Sequence, residues 1–258
     1  MICREMIDII EKRYPKRYAM DRDNVGLLVG RVGKEVKRIY IALDATDEVI
    51  DEVIRWKADM LITHHPMIFH ALKQINDEDF IGRRILRLIQ NDISYYAMHT
   101  NYDVLGMAGL SGEILGLQDM DVFEVTDAEK REGIGRIGNL EYEMTVGECC
   151  ELVKRAFHLS TVKLFGNKDA IVKCAAISPG SGKKMTEIAV EKGADVLITG
   201  DIDHHEGIDA VAQGLAVIDA GHYGLEHIFI EDMAKYLEEH VEGVQVEKAG
   251  ISHPFQVI

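Results

Sequence analysis

Short apolar runs that alternate with amphipathic segments predict an α/β fold. The runs at 39–43, 60–63, 93–98 and 215–218 have the length of buried strands, and a polar segment follows each of them. Between the first two runs, residues 47–57 repeat apolar side chains at helical spacing. A strand, a helix and a second strand in that order form the unit from which parallel sheets are built.

A second copy of this strand-helix-strand pattern lies in the later half of the chain. Ala58–Thr63 matches Ala194–Thr199 and, without a gap, Ile41 aligns with Ile177. Identity across the aligned window is modest, and the alternative is chance or the shared pattern of all such units. We favour an internal duplication, which predicts two similar α/β lobes.

A polar stretch marks the boundary that we predict between the lobes. Residues 118–132 are polar and charged, and glycines punctuate the segment 133–138 that follows. We place the first lobe at 1–126 plus 220–258 and the second lobe at 127–219. A length of 258 residues fits two lobes, because a single core usually divides near this size.

The net charge of −15 is concentrated toward the end of the chain. The segment 201–258 contains twelve acidic residues against Lys235 and Lys248, a net charge of −10. A protein that binds nucleic acid needs a basic face that releases counterions from the phosphates. The charge balance therefore argues against nucleic acid as the main partner and favours cations as ligands.

Cysteine usage and hydropathy predict a cytoplasmic protein. Cys3, Cys149, Cys150 and Cys174 include no C-x-x-C pair, which is typical of buried thiols in a reducing compartment. The segment Met1–Met6 has an early acid and no apolar signal core, so we expect no secretion. The longest apolar stretches fall far short of the roughly 18 residues that span a bilayer, so we expect no membrane partner.

Two adjacent histidines follow one of the predicted strands. The run 60–63 leads directly into His64, His65 and Pro66. Neighbouring side chains on a strand point to opposite faces, but beyond a strand end the backbone can turn so that both rings converge. Two converging imidazoles suit two metal ions better than one, and hydrogen bonding of each ring to backbone carbonyls is the alternative. Ligands collect at the carboxyl ends of strands in open α/β sheets, which favours a metal site.

Two further strand ends carry side chains of the ligand type. His222 and Glu226 lie four residues apart at the start of a predicted helix and share one face, and a surface ion pair is the alternative. The run 93–98 leads into His99 and Asp103, although an aspartate there can instead form a turn or cap a helix. The histidines and the two acids at these strand ends form a mixed nitrogen and oxygen set that suits Zn, Fe, Mn, Co or Ni better than Ca or Mg.

Five short motifs carry a resemblance to a known family. They are Asp23–Leu27, Thr63–Pro66, His99–Asp103, Gly200–Asp201 with His204–His205, and Gly221–Glu226. In order and spacing they resemble the NIF-three-like family, which is commonly assigned as GTP cyclohydrolase I type 2, and the resemblance covers essentially the whole chain. It implies two similar α/β lobes, a dinuclear metal site within the monomer and a toroidal homohexamer.

The resemblance also implies roles for individual residues. At the positions that match the family's motifs it implies metal ligation by His64, His65, Asp103, His222 and Glu226. These residues would hold two divalent transition-metal ions in the cleft between the lobes. Family members often carry a histidine after the Gly-Asp pair, which places His204 or His205 close to the metals. Together with His99 they are candidate proton shuttles, because imidazole titrates near neutral pH.

The function that we favour from the sequence is a metal-dependent hydrolase acting on a small molecule. A hydroxide that bridges the two ions would attack an electrophilic carbon or phosphorus, and GTP is the substrate if the family's assigned activity holds. The alternatives are a metal-handling or metal-delivery protein without turnover and, ranked last, a ring-shaped DNA-binding regulator. The metal stays open as well, because ligands of this kind accept several metals.

Overall fold

Strands and helices alternate along the chain in the computed structural model, which describes residues 1–256. The strands are β1 (Gly26–Val29), β2 (Arg38–Ala42), β3 (Met60–Thr63), β4 (Ser94–Ala97), β5 (Gln118–Asp127), β6 (Glu132–Thr145), β7 (Lys163–Phe165), β8 (Ile171–Ser181), β9 (Val196–Gly200), β10 (Ala216–Asp219) and β11 (Gln245–Lys248). The α-helices are α1 (Cys3–Arg13), α2 (Asp47–Trp56), α3 (Phe80–Gln90), α4 (Thr100–Tyr102), α5 (Ala108–Leu115), α6 (Val146–Ala156), α7 (Met185–Glu191), α8 (His204–Ala212), α9 (His222–Glu226) and α10 (Ile228–His240). Among the described residues, no helix has the length and apolar character that a membrane crossing requires.

The first of two units is built on a five-stranded sheet. It comprises Met1–Tyr102 and Phe229–Ile251. The strand order is β1-β4-β3-β2-β11, in which β11, β2, β3 and β4 are parallel and β1 pairs antiparallel with β4. Every residue of β3 and β4 is buried, as expected for parallel strands that are covered on both faces.

Helix α2 supplies part of the core of this unit. Thr46 caps the helix by accepting a hydrogen bond from the backbone N–H of Val49. The apolar spacing then places Ile50 and Val53 in a buried cluster with Leu61 of β3, and all three side chains are fully buried. The apolar face of α2 therefore packs against β3, and this interface accounts for both the helical spacing of apolar residues and the burial of the strand.

The second unit is built on a six-stranded sheet. It comprises Asp103–Ile228 and the tail that begins at Ser252, and a π-helical turn at Asp103–Met107 opens it. The strand order is β5-β6-β8-β9-β10-β7, in which β8, β9 and β10 are parallel and the other pairs are antiparallel. Two sheets with helices confirm the α/β prediction.

Pairings recur between the two sheets at the positions that the internal sequence match aligns. Ile41 pairs with Ile62 in the parallel ladder of β2 and β3. Ile177 pairs with Ile198 in the parallel ladder of β8 and β9. The register of one ladder therefore reproduces the register of the other.

An aspartate anchors the parallel pair in each sheet. Asp59 Oδ2 accepts hydrogen bonds from the backbone N–H groups of Lys37–Arg38 at 2.8 and 2.9 Å. Asp195 Oδ2 accepts hydrogen bonds from the N–H groups of Lys173–Cys174, both at 2.8 Å. The same gap-free alignment matches Asp59 with Asp195 and Lys37–Arg38 with Lys173–Cys174. The two copies therefore share individual hydrogen bonds as well as residue identities.

The boundaries of the two units differ from those expected from the sequence. They fall after Tyr102, after Ile228 and after Ile251, whereas the sequence places them at 126–127 and 219–220. The polar stretch is part of the second sheet and does not act as a linker, because β5 pairs antiparallel with β6 and β6 pairs with β8. Strand β5 lies at the edge of that sheet, and charged side chains are typical of strands that must not pair further.

We expect Asp59→Ala and Asp195→Ala to destabilise the protein to a similar extent. Each substitution removes a charged acceptor from two backbone N–H groups, so the free energy of unfolding should fall by about 1–3 kcal/mol in either variant. Urea unfolding followed by circular dichroism measures the loss. Asp51→Ala is the control, because its carboxylate is exposed and forms an ion pair with Arg87. A loss at one position alone would contradict equivalent anchoring.

Candidate metal centre

The two histidine rings after β3 lie side by side. The ring centroids of His64 and His65 are 4.8 Å apart, and His64 is fully buried. The backbone N–H of His65 donates to the Leu43 carbonyl at 3.0 Å, and the backbone carbonyl of His65 accepts from the hydroxyls of Thr63 and Tyr95. Burial raises the pKa of Tyr95 to about 12, so this hydroxyl keeps its proton at neutral pH. These bonds hold the backbone turn that lets both rings converge.

Aromatic side chains of the first unit enclose His64. The ring centroids of Phe229 and Tyr102 lie 5.4 and 5.9 Å from that of His64. The Tyr102 hydroxyl donates to Asp232 Oδ2 at 2.8 Å. Burial, and then the charge of Asp232, raise the pKa of Tyr102 well above its ordinary value, so the ring stays neutral. An enclosure of low polarity strengthens the attraction between a cation and its ligands.

An aspartate that follows β2 contacts His65. Asp44 Oδ1 lies 2.7 Å from His65 Nδ1. An ionised carboxylate can only accept a hydrogen bond, so Nδ1 carries the proton. In the neutral ring the lone pair is then on Nε2, which is the nitrogen that can bind a metal.

His99, which follows β4, has an aspartate partner of its own. His99 Nδ1 lies 2.9 Å from Asp23 Oδ2, and the His99 ring is 5.5 Å from the His64 ring and 6.0 Å from the His65 ring. Asp23 also accepts hydrogen bonds from the N–H and the hydroxyl of Thr100. Burial acts to raise the pKa of Asp23, but the hydrogen bonds from His99 and Thr100 outweigh it and hold that pKa below its ordinary value.

In the second unit, His222 and Glu226 share one face of α9, as their spacing predicts. His222 Nε2 lies 3.1 Å from Glu226 Oε2, and the Glu226 side chain is 3% exposed. His222 Nδ1 lies 2.7 Å from Asp201 Oδ2, which places a proton on Nδ1. A neutral ring then presents the Nε2 lone pair to a carboxylate oxygen. Two acceptors at this distance must share a proton or a cation.

A glycine leaves room for the Glu226 carboxylate. Gly180 lies in β8 with a φ of +83°, in the left-handed region that favours glycine. A Cβ at this position would lie 2.6 Å from Glu226 Oε1 and 3.8 Å from His222 Nε2. Any other residue at 180 would displace the carboxylate from its place beside His222.

Three of the predicted ligands form a group that could hold a metal ion. His64, His65 and Glu226 each offer one ligand atom, and these atoms all lie within 4.8 Å of one another. His64 and Glu226 are buried, and His65 is partly buried. Two imidazole nitrogens with a carboxylate oxygen are a donor set that suits Zn, Fe, Mn, Co or Ni.

The other predicted site residues lie outside this group. Asp103 is partly buried at the start of the π-helical turn. His204 and His205 are exposed on the first turn of α8, with ring centroids 5.3 Å apart. Ligation by Asp103 and His222, and proton transfer by the α8 histidines, therefore remain predictions.

The sequence predicted no contact between these aspartates and the histidines, although Asp23 and Asp201 belong to motifs that carry the resemblance. Asp44 follows β2 and Asp201 follows β9, so both occupy strand ends like the histidines themselves. Their position therefore carried a usable signal, because acids and imidazoles at neighbouring strand ends meet at one edge of a parallel sheet. Asp23 lies in a loop before β1, and nothing local in the sequence indicates its contact with His99.

Known proteins resemble this chain over its whole length. The model of the Duf34/NIF3 (NGG1p interacting factor 3) family matches residues 1–254. A Clostridium acetobutylicum protein named GTP cyclohydrolase 1 type 2 homolog is 37% identical over 257 residues, which cover 98% of this chain and 94% of that protein. A protein of the same name from Clostridium perfringens is 34% identical over 264 residues and covers 100% of both chains. The crystal structure of a Bacillus cereus protein related to NIF3 matches with a TM-score of 0.94 at 28% identity, covering 100% of this chain and 99% of that chain.

We expect Asp23→Asn to lower the free energy of unfolding at pH 7 by about 1–3 kcal/mol, because a neutral amide replaces a charged acceptor. The lowered pKa of Asp23 sets the pH dependence. The ionised carboxylate stabilises the fold. The difference in unfolding free energy between wild type and variant is therefore full above about pH 3.9, the pKa of an unfolded aspartate. It disappears as the pH falls through the lower pKa that Asp23 has in the folded protein. Urea unfolding over this pH range measures it, with the exposed Asp77→Asn as control. A difference that stays constant or grows in acid would contradict this expectation.

Proposed function

The chain belongs to the Duf34/NIF3 family, and we propose that it is a metal-dependent hydrolase that uses two divalent transition-metal ions. The observation that carries this proposal is the group formed by His64, His65 and Glu226, whose ligand atoms lie within 4.8 Å of one another. Relatives named GTP cyclohydrolase 1 type 2 homolog support a nucleotide or a related small molecule as the substrate class.

The contacts around Glu226 fit a bound cation. The carboxylate is buried and lies 3.1 Å from His222 Nε2. The proton on the other ring nitrogen, Nδ1, is already donated to Asp201. A metal cation would take the place of a shared proton and attract both acceptors. The missing side chain at Gly180 supports the same assignment, because any Cβ there would collide with the carboxylate.

We assign Asp103 and His222 as the remaining ligands. His222 contacts Glu226 directly, so an ion held by Glu226 lies within reach of His222. Asp103 is assigned through its place in the His99–Asp103 motif. When bound, two divalent ions would activate water and stabilise negative charge that develops on the substrate.

His99 is the residue that we assign to proton transfer. Its ring lies within 6.0 Å of the His64 and His65 rings, but it is not a member of the ligand group. Asp23 lies on the Nδ1 side of the ring, so Nε2 is the atom at which His99 would take up or release a proton. His204 and His205 are the second candidates, and their exposure suits exchange of protons with solvent.

A metal-handling role without turnover is the second candidate function. The exposed pair His204 and His205 favours it, because neighbouring imidazoles at the surface can exchange an ion with solvent. Burial of His64 and Glu226 favours retention of the ion, which suits a catalytic site better. We therefore rank the hydrolase first.

We also infer that the two units arose by internal duplication. The equal registers of β2 with β3 and of β8 with β9 support this origin. The matching hydrogen bonds of Asp59 and Asp195 support it as well, because shared strand order alone does not require an aspartate at both positions. In the second copy, Gly200–Asp201 stands where the first copy has His64–His65, so the imidazole pair belongs to one copy only.

We further propose that the protein is a cytoplasmic homohexamer of toroidal shape, as the resemblance implies. The cysteines support the reducing compartment. Cys149 is buried, and burial raises the pKa of its thiol to about 12, so it is unreactive at neutral pH.

Metal content tests the ligand group. We expect purified wild-type protein to contain about two transition-metal equivalents per chain, as a dinuclear centre requires. His65→Ala and Glu226→Ala should both lose metal by elemental analysis while circular dichroism shows a retained fold. The controls are His70→Ala and Glu238→Ala, since both residues are exposed. Metal-free wild-type protein, or metal content unaffected by either ligand substitution, would contradict the proposal.

Turnover of GTP tests the substrate. We expect metal-replete protein to open the imidazole ring of GTP, and we expect His99→Ala to lose at least about tenfold in rate while its metal content is kept, as for removal of a general acid or base. Liquid chromatography of the nucleotide follows the reaction, with a known cyclohydrolase as positive control. Unchanged GTP, together with rapid release of the metal to a weak chelator, would favour metal handling instead.

A further inference from the structure

We propose that Asp44 and Asp201 are positioning residues, which fix His65 and His222 so that the Nε2 atom of each ring binds metal. This inference rests on the proposed function, because it assigns a role toward the same metal ions. It adds two residues that lie outside the five predicted ligands. Each of them acts through a histidine and does not contact the metal itself.

The geometry of the two pairs is the same. Asp44 Oδ1 lies 2.7 Å from Nδ1 of His65, and Asp201 Oδ2 lies 2.7 Å from Nδ1 of His222. A carboxylate accepts and cannot donate, so each ring must carry its proton on Nδ1. Both histidines are then held in the tautomer whose Nε2 lone pair faces away from the aspartate.

The two pairs come from different positions in the fold. Asp44 follows β2 in the first sheet and contacts the histidine after the neighbouring strand β3. Asp201 follows β9 in the second sheet and contacts the histidine after the neighbouring strand β10. In the internal alignment Asp201 takes the position of His65, so the second pair is not a simple copy of the first. The same contact has therefore been formed twice from non-equivalent residues.

The alternative is that both are ordinary surface ion pairs. The side chains of Asp44 and Asp201 are 43% and 55% exposed, and exposed pairs of this kind contribute little to stability. The histidines distinguish the two cases. His65 is 23% exposed and is a member of the ligand group, and His222 contacts the buried Glu226 through its other nitrogen. A surface pair would require neither contact.

Loss of either aspartate should weaken metal binding. A carboxylate on the far nitrogen orients a metal-binding imidazole and raises its basicity, and loss of such a partner typically weakens metal binding by about 10–100-fold. We expect Asp44→Asn and Asp201→Asn to show this loss. The fold should remain intact, because neither aspartate is buried.

Competition for Zn²⁺ with a chromophoric chelator measures the dissociation constant of each variant. Asp47→Asn and Asp209→Asn are the matched controls, because they remove the same charge from exposed aspartates of the same units. They correct for the long-range effect of net charge on a cation. A loss of at least about tenfold relative to the controls supports the positioning role.

Two-bond ¹H–¹⁵N correlation spectra of metal-free wild-type protein provide the second measurement. They identify which ring nitrogen of His65 and His222 is protonated, and the inference requires Nδ1 in both. An Nδ1 without a proton in either ring, or Zn²⁺ affinity of the Asn variants within threefold of the controls, would overturn the inference. Wild-type protein that fails to bind Zn²⁺ would instead overturn the proposed function.

Discussion

Parallel pairing of β2, β3 and β4 brings the carboxyl ends of three strands to one edge of the first sheet. Asp44, His64–His65 and His99 follow these ends, so residues far apart in sequence meet there. The second sheet does the same with β9 and β10, which present Asp201 and His222. A shift of one residue in any of these ladders would turn the buried side chains to the opposite face, so burial of the strands also fixes the chemistry at their ends.

Burial of carboxylates is the second constraint. The Glu226 side chain is 3% exposed, and that of Asp23 is 1% exposed. A buried carboxylate costs several kcal/mol unless a partner compensates it. Thr100 and His99 compensate Asp23 through hydrogen bonds. Compensation of Glu226 by a metal ion would couple metal binding to stability, since the ion binds only the folded arrangement.

The sequence predicted the strands well where burial alone determines them. Continuous apolar runs define β2, β3 and β10, and the histidines that follow β3 were recognised because ligands collect at the carboxyl ends of strands. The hairpin of β5 and β6 was missed, because an edge strand carries polar residues and resembles a linker. The contact of His99 with Asp23 was missed as well, because it joins residues that are distant in the sequence and share no local pattern.

Anomalous diffraction from crystals grown with one divalent transition metal tests the central claim most directly. A dinuclear centre should give two anomalous peaks about 3.5–4 Å apart. At least one should lie within bonding distance of His64, His65 and Glu226. No peak at this group, or peaks only at surface histidines such as His204 and His205, would contradict a dinuclear centre in this protein.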